Sequence, residues 1–361
     1  MNLFYATRLS LPSNTAQSLQ IEQMSINFKK LFNFKLISPL TDQNYNQTKF
    51  YSWTRLPIFF KKNILKYFEF LIKLFFFLFN KNINIFYTRD IALISLIFLY
   101  KGKFCYEIHQ EPKFFAKIFI KIFVRKKNFY IVAISNGLKE YLLKNFSLDS
   151  NRILVAHDGV TIFKYDRLRR FSKNSLRTKL KLPLNQKIIV HTGSLYQGRG
   201  IAVFLNILTQ INKIYIVFVG GQESEVLNWK NKYIKFNNIN FISRKSNFVS
   251  IMYQMAADIL INPNTVESKI WKYTSPLKIF EYMSTQNPII STNIGSTAEI
   301  LNNSNSLKFQ YGDDESLINS INLCIKGGSH INLLTSNALK DVRSKFTWSE
   351  RCQVIKSFLH E

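Results

Sequence analysis

The chain has 361 residues, 47% of them hydrophobic, which is long for one domain and sufficient for two domains with separate cores. Its 49 Lys and Arg against 22 Asp and Glu give a formal net charge of +27, which favours polyanionic partners such as nucleic acid or an acidic membrane surface. The three widely spaced cysteines, Cys105, Cys324 and Cys352, exclude a disulfide framework and a CxxC zinc site and indicate a reducing compartment.

Strands and helices alternate along the first part of the chain. The N-terminus reads as a first strand and not as a signal peptide, because it lacks a basic start and a long apolar run. The longest apolar run, from Leu74, ends before Lys81, whereas a membrane-spanning helix needs roughly twenty residues, so we expect no transmembrane segment. Strands are predicted at 2–6, 34–39, 83–88, 103–108, 129–135 and 152–156, and helices at 16–32, 57–80, 90–100, 113–127 and 136–146.

A polar, basic stretch at 164–186 interrupts this alternation, and a second series of strands and helices follows it. Strands separated by helices of this length indicate parallel sheets that are covered on both faces. We therefore predict a first domain at 1–165, a connection at 166–186, a second domain at 187–345 and a C-terminal helix at 346–361. The strands of the second series are predicted at 187–192, 214–220, 238–243, 258–262, 288–292 and 306–310.

Two motifs in the second domain have the pattern of a phosphate-binding site. In residues 187–201 a strand ends at Gly193, and Gly198, Arg199 and Gly200 open a helix, where glycines let the backbone approach a diphosphate that the Arg can pair with. The alternative is a solvated loop arginine. In residues 273–299 a hydroxyl cap at Thr274 and Ser275 precedes Pro276 as the first helical residue, and a strand and a second helix start follow. Helix starts at strand ends bind anions, so this segment is a candidate cradle for a sugar nucleotide.

In this order, the two motifs resemble the donor-binding segments of the GT-B glycosyltransferases, in particular the large retaining family (glycosyltransferase family 4-like, group 1). The resemblance implies an α/β fold with the GT-B architecture: two Rossmann-like, doubly wound parallel-sheet domains with a ligand cleft between them. It also implies that the first domain binds the acceptor, that the second binds the nucleotide sugar, and that the C-terminal helix packs back on the first domain.

The resemblance implies site residues as well. Glu281 is placed to hold the donor ribose, although it could instead be a surface carboxylate paired with Lys278 or Lys272. Glu299 would organise the following loop or, alternatively, cap a helix start. The implied catalytic residues are His109, Arg199 and Lys278. The implied donor-binding residues are Gly193, Gly198, Arg199, Gly200, Arg244, Ser275, Pro276, Leu277, Lys278, Glu281 and Glu299.

Two positions depart from the family pattern. Eight residues before Glu281, where relatives often carry a first glutamate, this chain has Tyr273. After Gly193, where relatives often carry an arginine, it has Ser194, and Lys278 or Arg244 would replace that charge.

In the first domain, two segments resemble the acceptor side of the family. Residues 11–28 form a loop with cap residues Ser13, Asn14 and Thr15 and then an amphipathic helix, or else simply a capped helix. A strand over 104–112 places Glu107 and His109 on one face, and His109 matches the histidine that relatives place near the donor sugar, unless its role is structural.

The predicted function is transfer of a sugar from a UDP or GDP sugar to a saccharide or lipid-linked saccharide in bacterial surface polysaccharide or glycan biosynthesis. The chain contains no Walker loop, Ser-His-Asp set or metal triad in its sequence pattern, so we predict metal-independent, retaining transfer without a cofactor. The alternatives are a GT-B-fold sugar-nucleotide 2-epimerase and a degenerate binding-only member. Nucleic-acid binding explains the charge but neither motif, and we expect no nucleic acid partner.

Two helices combine basic and aromatic residues. The 113–127 helix carries Lys113, Lys117, Lys121 and Arg125 at i+4 spacing, and the 57–80 helix combines Phe residues with Lys61, Lys62, Lys66 and Lys73. This pattern is typical of a helix at an anionic lipid surface, and the alternative is that the apolar faces cover the sheet. The predicted location is the cytoplasm, with peripheral attachment to the inner face of the cytoplasmic membrane left open.

Overall fold

A computed structural model of the chain describes residues 1–13, 15–40, 52–60, 63–79, 81–99, 101–196, 198–207, 210–211, 213–267 and 271–360. Within this part, backbone contacts divide the protein into two compact units. The first unit comprises Met1–Asp158 and Trp348–Glu361, and the second comprises Gly159–Thr347.

The first unit is built on one parallel sheet. Leu3 on its central strand pairs with Phe34 on one side and with Ile85 on the other. The strands are β1 (Asn2–Ala6), β2 (Asn33–Pro39), β3 (Ser52–Leu56), β4 (Ile85–Thr88), β5 (Lys103–Ile108), β6 (Phe129–Ala133) and β7 (Ile153–Val155). In the described residues the order is β3-β2-β1-β4-β5-β6-β7, which extends the strand order of a Rossmann fold.

Helices connect these strands because parallel strands need crossovers. They are α1 (Ala16–Leu31), α2 (Asn63–Leu78), α3 (Phe114–Phe123) and α4 (Asn136–Asn145), with 3-10 helices at Ile91–Leu99 and Ser150–Arg152. As predicted, Thr15 caps α1, its Oγ1 accepting from the Ser18 N–H at 3.2 Å, whereas Asn14 lies outside the described residues. Helix α1 buries Ile21, Met24 and Phe28 completely, and Phe28 packs against Phe34 of β2 and Tyr87 of β4.

The second unit also contains one parallel sheet. Its strands are β8 (Lys187–Thr192), β9 (Ile214–Val219), β10 (Ile239–Ile242), β11 (Ile259–Asn262), β12 (Ile289–Thr292) and β13 (Leu307–Phe309). The order β10-β9-β8-β11-β12-β13 repeats the Rossmann order, so the chain changes direction across the sheet between β8 and β11. The predicted α/β fold with two doubly wound parallel sheets is thereby confirmed.

Both faces of this second sheet are covered. Successive residues of a strand point to opposite faces, and here Ile188 and Val190 join one buried cluster whereas Ile189 joins another. This arrangement explains why β8, β9 and β11 read as nearly continuous apolar runs in the sequence.

The helices of the rest of the chain follow in order. They are α5 (Phe163–Leu168), α6 (Lys173–Leu180), α7 (Ile201–Asn206), α8 (Glu223–Lys232), α9 (Asn247–Ala256), α10 (Leu277–Met283), α11 (Thr297–Ile300), α12 (Asp314–Lys326), α13 (Ser329–Lys345) and α14 (Trp348–His360). Helix α14 is part of the first unit, where Cys352 Sγ lies 3.6 Å from Met24 Sδ of α1.

The structure differs from the predicted elements in the first unit. The predicted helix at 57–80 begins only at Asn63, and strand β3 before it was not predicted. The predicted helix at 90–100 is a 3-10 helix, Ile91–Leu99, because its uninterrupted apolar run has no period that would select an α-helix.

Two differences concern the second unit. Helix α10 begins at Leu277, and Pro276 is its N-cap with extended backbone (ψ 117), so the predicted hydroxyl cap at Thr274 and Ser275 with Pro276 as first helical residue is wrong. The basic stretch at 166–186 contains all of α6, in which Arg177 donates to the Ala256 carbonyl at 3.0 Å and pairs with Asp258 at 2.6 Å.

Candidate functional site

The candidate site of the second unit lies at the carboxyl ends of its central strands. Strand β8 ends at Thr192 and is followed by Gly193, and the neighbouring β11 ends at Asn262. The connections that leave these two strands run to opposite sides of the sheet. Such a switch point leaves an opening where open parallel sheets bind ligands.

The loop after β8 is held close to the loop after β11. At Gly200 (φ 76) an added Cβ would lie 1.5 Å from the Pro263 carbonyl oxygen, so only glycine fits there. Thr265 Oγ1 donates to the Gly198 carbonyl at 2.8 Å. Arg199 therefore sits between two anchored residues, and its backbone position is fixed at the start of α7.

Basic side chains converge beside Gly193. A Cβ at that position would be 3.7 Å from Cδ and 3.9 Å from Nζ of Lys278. Burial, followed by the nearby Arg199 charge, lowers the pKa of Lys278 to about 7, whereas the charge of Glu281 acts in the opposite sense. The guanidinium of Arg199 lies 4.7 Å from the ring centre of Tyr196, and its buried Nε finds no hydrogen-bond partner among the described residues.

His191 on β8 belongs to the same cluster. It is fully buried, and its Nδ1 lies 3.1 Å from the Ile261 carbonyl oxygen, which can only accept, so Nδ1 carries a hydrogen. Its Nε2 lies 3.9 Å from the Cβ position at Gly193 and has no partner in the described part of the chain. Burial, followed by the charges of Lys278 and Arg199, holds the pKa of His191 well below its usual value.

Glu281 on α10 is held by two amides. Its Oε1 accepts from Asn247 Nδ2 at 3.3 Å and its Oε2 accepts from Gln254 Nε2 at 2.8 Å. Gln254 is fully buried and is itself fixed, because its Oε1 accepts from the Tyr165 hydroxyl at 3.0 Å. Burial raises the pKa of Glu281, an effect that the Gln254 bond and the Lys164 charge reduce. Each carboxylate oxygen keeps a lone pair for a ligand.

A pocket of about 530 Å³ adjoins Gly193 and the ends of β9 and β10. Arg244 lines it together with Ser194, Tyr196 and Lys245, and its side chain is exposed. The pocket and the basic cluster thus share Gly193, while Arg199, Lys278 and Glu281 are not among the pocket's lining residues.

The remaining predicted donor-binding residues lie around α10 and α11. Ser275 is buried just before Pro276, the N-cap, and Leu277 is the first residue of α10. Glu299 lies in the single turn of α11 and is half-buried. The structure therefore brings together Gly193, Arg199, Lys278 and Glu281, with the other predicted residues on adjoining loops and helix starts.

In the first unit, Glu107 lies on β5 and His109 directly follows the end of that strand, and their side chains are hydrogen-bonded through His109 Nε2 and Glu107 Oε1. Glu107 is buried and also accepts from the hydroxyl of Tyr87 on β4. Both line a cavity of about 350 Å³ that Arg8 and Asp90 share.

Arg351 on α14 supplies the counter-charge of this cluster. Its Nη2 lies 3.1 Å from Glu107 Oε1, and its Nη1 lies 3.6 Å from Asp158 Oδ1. Burial alone would raise the pKa of Glu107, but Arg351, followed by His109, outweighs it and holds that pKa well below the usual range. Burial and the charge of Arg89 lower the pKa of His109, so its imidazole is neutral at neutral pH.

Glu107, His109 and Asp158 are of the types that bind metal ions, and their ligand atoms lie within 4.8 Å of one another. Arg351 already pairs with both carboxylates, and Gln20 Nε2 lies 2.7 Å from each of them. A positive group and an amide donor thus occupy the position that a cation would need.

The sequence analysis missed several buried polar residues of both sites: Gln20, Asp158, His191, Gln254 and Arg351. A signal existed for three of them. Gln20, Gln254 and Arg351 interrupt the buried apolar faces of α1, α9 and α14, and a polar residue at such a position must have a partner.

The second unit contains a known family segment. Residues 186–326 match the family model described as "Glycosyl transferases group 1", and this segment runs from β8 to α12 and so includes the candidate donor site. No curated protein matches the sequence.

Solved structures match nearly the whole chain. A glycosyltransferase from Rickettsia africae ESF-5 is 18% identical with a TM-score of 0.78, covering 99% of this chain and 97% of that one. Sucrose-phosphate synthase from Thermosynechococcus elongatus is 13% identical with a TM-score of 0.77, covering 99% and 98%. Anabaena Alr3699/HepE in complex with UDP is 15% identical with a TM-score of 0.78, covering 100% of both chains, and it has also been solved with UDP-glucose.

These findings confirm the resemblance to the GT-B glycosyltransferases and the predicted fold of two Rossmann-like units, each built on a parallel sheet. The family segment also confirms the predicted class of enzyme, a glycosyltransferase. None of the helices in the described residues is long and apolar enough to cross a membrane.

Proposed function

We propose that the protein transfers a sugar from a nucleotide-diphosphate sugar to a saccharide or lipid-linked saccharide. The observation that carries this proposal is the basic cluster beside Gly193. The buried Nε–H of Arg199 has no partner among the described residues, and burial, followed by the Arg199 charge, lowers the pKa of Lys278 to about 7. A site that holds two cations close together, with an unpaired N–H donor on one of them, is suited to an anion such as a diphosphate.

The donor is proposed to be a UDP or GDP sugar. Glu281 holds the ribose hydroxyls through the lone pairs that Asn247 and Gln254 leave unused. The adjoining pocket of about 530 Å³ has the size of a small-molecule site and takes the base, next to Arg244. The UDP and UDP-glucose complexes of the structurally similar Alr3699/HepE support UDP as the nucleotide to test first.

The proposed reaction retains the configuration of the anomeric carbon and needs neither a metal ion nor a cofactor. The bond from the anomeric carbon to the diphosphate breaks through an oxocarbenium-like state, and Arg199 and Lys278 stabilise the charge that develops on the leaving diphosphate. The leaving phosphate then accepts the proton of the acceptor hydroxyl, while His109 contacts the donor sugar. The proposed role lies in bacterial surface polysaccharide or glycan biosynthesis.

The test is turnover of UDP and GDP sugars by the purified protein without an acceptor. A transferase hydrolyses its donor slowly, and NMR of the released sugar gives the α anomer first from an α-linked donor if the configuration is retained. Formation of a 2-epimer would support the sugar-nucleotide epimerase instead. Binding without turnover would support a binding-only protein, which Tyr273 and Ser194 at the two departing positions make the second candidate. Activity that EDTA abolishes would contradict metal independence.

We also propose that the first unit binds an anionic membrane surface. Helix α2 exposes Ile64, Phe68, Ile72 and Phe76 at i+4 spacing, while Phe70 and Leu74 on its other face are buried. Helix α3 likewise exposes Phe114, Phe115, Ile118 and Ile122. We call these eight exposed residues the aromatic surface.

Basic residues accompany the aromatic surface, since Lys113, Lys121 and Arg125 are exposed on or beside α3. Lys61 and Lys62 lie outside the described residues. Apolar side chains with adjacent positive charge fit the headgroup region of anionic lipids. Membrane attachment suits a lipid-linked acceptor, and the location proposed with it is the cytoplasm, at the inner face of the cytoplasmic membrane.

Co-sedimentation with anionic liposomes at low salt tests the membrane proposal. The double variant Phe114→Ser/Phe115→Ser removes two side chains that are 72% and 75% exposed and should lose most of the binding. The matched control is Leu333→Ser, an exposed apolar residue of α13 in the second unit, which should bind as the wild type does. Absence of co-sedimentation by the wild type would contradict the proposal.

A further inference from the structure

A buried chain of polar contacts in the first unit connects His109 to the C-terminal helix. Glu107 Oε1 is hydrogen-bonded to His109 Nε2 and to Gln20 Nε2. Glu107 Oε2 accepts a hydrogen bond from the Tyr87 hydroxyl. Arg351 of α14 lies 3.1 Å from the same Oε1. The side chains of Glu107 and Arg351 are 0% and 1% exposed, so water does not compete for these contacts.

The orientation of the Gln20 amide is fixed by its neighbours. Arg89 Nη1, which can only donate, contacts Gln20 Oε1. Gln20 Nε2 therefore faces Glu107 Oε1 and Asp158 Oδ1, each at 2.7 Å. These two bonds use both hydrogens of the amide nitrogen, so its 3.3 Å approach to His109 Nε2 is not a further hydrogen bond.

The hydrogen between His109 and Glu107 must then belong to His109. Glu107 is ionised, because Arg351 and His109 outweigh the effect of its burial, and a carboxylate has no hydrogen to donate. The neutral imidazole therefore carries its hydrogen on Nε2, and its Nδ1 keeps a lone pair. The charged groups that face it are Glu107 on β5, Arg89 after β4 and Asp158 after β7.

We propose that Arg351 and Glu107 are positioning residues that hold His109 as its Nε2–H tautomer, so that Nδ1 accepts a hydrogen bond from a hydroxyl of the sugar substrate. The identity of that ligand rests on the proposed function, whereas the tautomer does not. His109 lines the cavity of about 350 Å³ with its side chain 20% exposed, so a ligand can reach it. The C-terminal helix is then part of the site, since it supplies Arg351.

The first experiment is NMR of the full chain labelled with ¹⁵N-histidine. The chain has five histidines, and the signals of His109 are those that a His109→Asn variant lacks. We expect one protonated and one unprotonated ring nitrogen, with the hydrogen on Nε2, and a pKa below the usual value of about 6.5. A hydrogen on Nδ1, or a doubly protonated ring at pH 7, would overturn the proposal.

Variants test the two positioning residues separately. Arg351→Met leaves the Glu107 charge without its partner, so the imidazole should take up a proton and the pKa of His109 should rise above about 6.5. Arg351→Lys retains the positive charge, so the pKa of His109 should stay low. Glu107→Gln removes the charge that selects the tautomer and should give a mixture of both neutral forms. The matched control is Arg177→Met, which breaks the buried pair with Asp258 in the second unit and should leave the His109 signals unchanged.

These outcomes separate the inference from the proposed function. An unchanged tautomer and pKa in both Arg351→Met and Glu107→Gln would reject the positioning role, whatever the protein transfers. If Arg351→Met does not fold, the positioning role is still tested by the His109 tautomer in the wild-type protein and in Glu107→Gln. If the spectra show the expected tautomer but no sugar nucleotide is turned over, the positioning role stands and only the assignment of a sugar as the ligand is rejected.

Discussion

The basic groups of the two units differ in how their charge is matched. In the first unit, Arg351 faces two carboxylates, Glu107 and Asp158, and the cluster is neutralised from within. In the second unit, Arg199 and Lys278 approach each other, and the nearby carboxylate of Glu281 is already engaged by two amides. The positive charge of the first cluster is therefore balanced by its own carboxylates, whereas we propose that an anionic ligand balances the second.

This difference indicates two ways to build a site. The neutralised network holds one side chain, His109, in a single tautomer. The cost of burying its charged groups is offset by the hydrogen bonds that the carboxylate oxygens accept. In the proposed function, the repulsion between the unmatched cations of the second cluster is relieved by a bound diphosphate, most strongly when the leaving group carries its full negative charge.

The largest expected effect concerns the backbone that carries the second site. Gly200→Ala would place a Cβ 1.5 Å from the Pro263 carbonyl oxygen, and we expect a loss of about 3 kcal/mol in the free energy of unfolding. Gly198→Ala is the matched control, because its φ of 91 is also positive but an added Cβ meets nothing within 4 Å, and it should cost about 1 kcal/mol. Denaturant titration measures both, and equal losses would contradict the close packing of the loop.

Arg199→Ala should reduce the rate of sugar transfer on the order of a hundredfold, because it removes the guanidinium group that is proposed to stabilise the leaving diphosphate. Arg170→Ala, an exposed arginine of the same unit, is the control and should leave the rate as it is. Steady-state kinetics with a saturating donor sugar measures the effect. An Arg199→Ala protein with unchanged turnover would rule out its catalytic assignment.

The affinity for UDP should depend on pH through Lys278. Its pKa of about 7 in the free protein means that it is charged below pH 7 and neutral above, and a bound diphosphate favours the charged form. UDP binding should therefore weaken above pH 7 by up to about tenfold per pH unit. Calorimetry between pH 6 and 9 measures the UDP affinity. In Lys278→Met the part of its pH dependence that is due to Lys278 should be absent. Equal slopes in both proteins would show that Lys278 does not face the diphosphate.

The smallest expected effect is on ribose recognition. Glu281→Gln replaces a charged acceptor by a neutral one, and a hydrogen bond to a charged group contributes about 1.5–3 kcal/mol, so UDP should bind roughly tenfold more weakly. Binding of 2′,3′-dideoxy-UDP should change little, because it has no ribose hydroxyls to lose. If both nucleotides weaken equally, Glu281 acts on the fold of the site and not on the ribose.

Much of the fold followed from local pattern. The alternation of strands and helices predicted both parallel sheets, because crossovers and apolar strands are encoded over short distances. The pattern failed at β3, next to a helix predicted to begin too early, and at Ile91–Leu99, where an all-apolar run carries no period. It also misplaced the start of α10 by one residue, because Pro276, of a type favoured at the first helical position, here has extended backbone and is the N-cap.

The sequence by itself determined the residues that depend on neighbours in the chain: the glycines around Arg199, the Lys278 and Glu281 spacing on one helix, and the Glu107 and His109 alternation on one strand. Only the tertiary structure decided which groups meet across the chain, as when Arg351 reaches Glu107 and Gln254 reaches Glu281. The physical reason is that a buried charge or amide needs a partner, but its identity is set by how helices pack on the sheet and not by the local sequence.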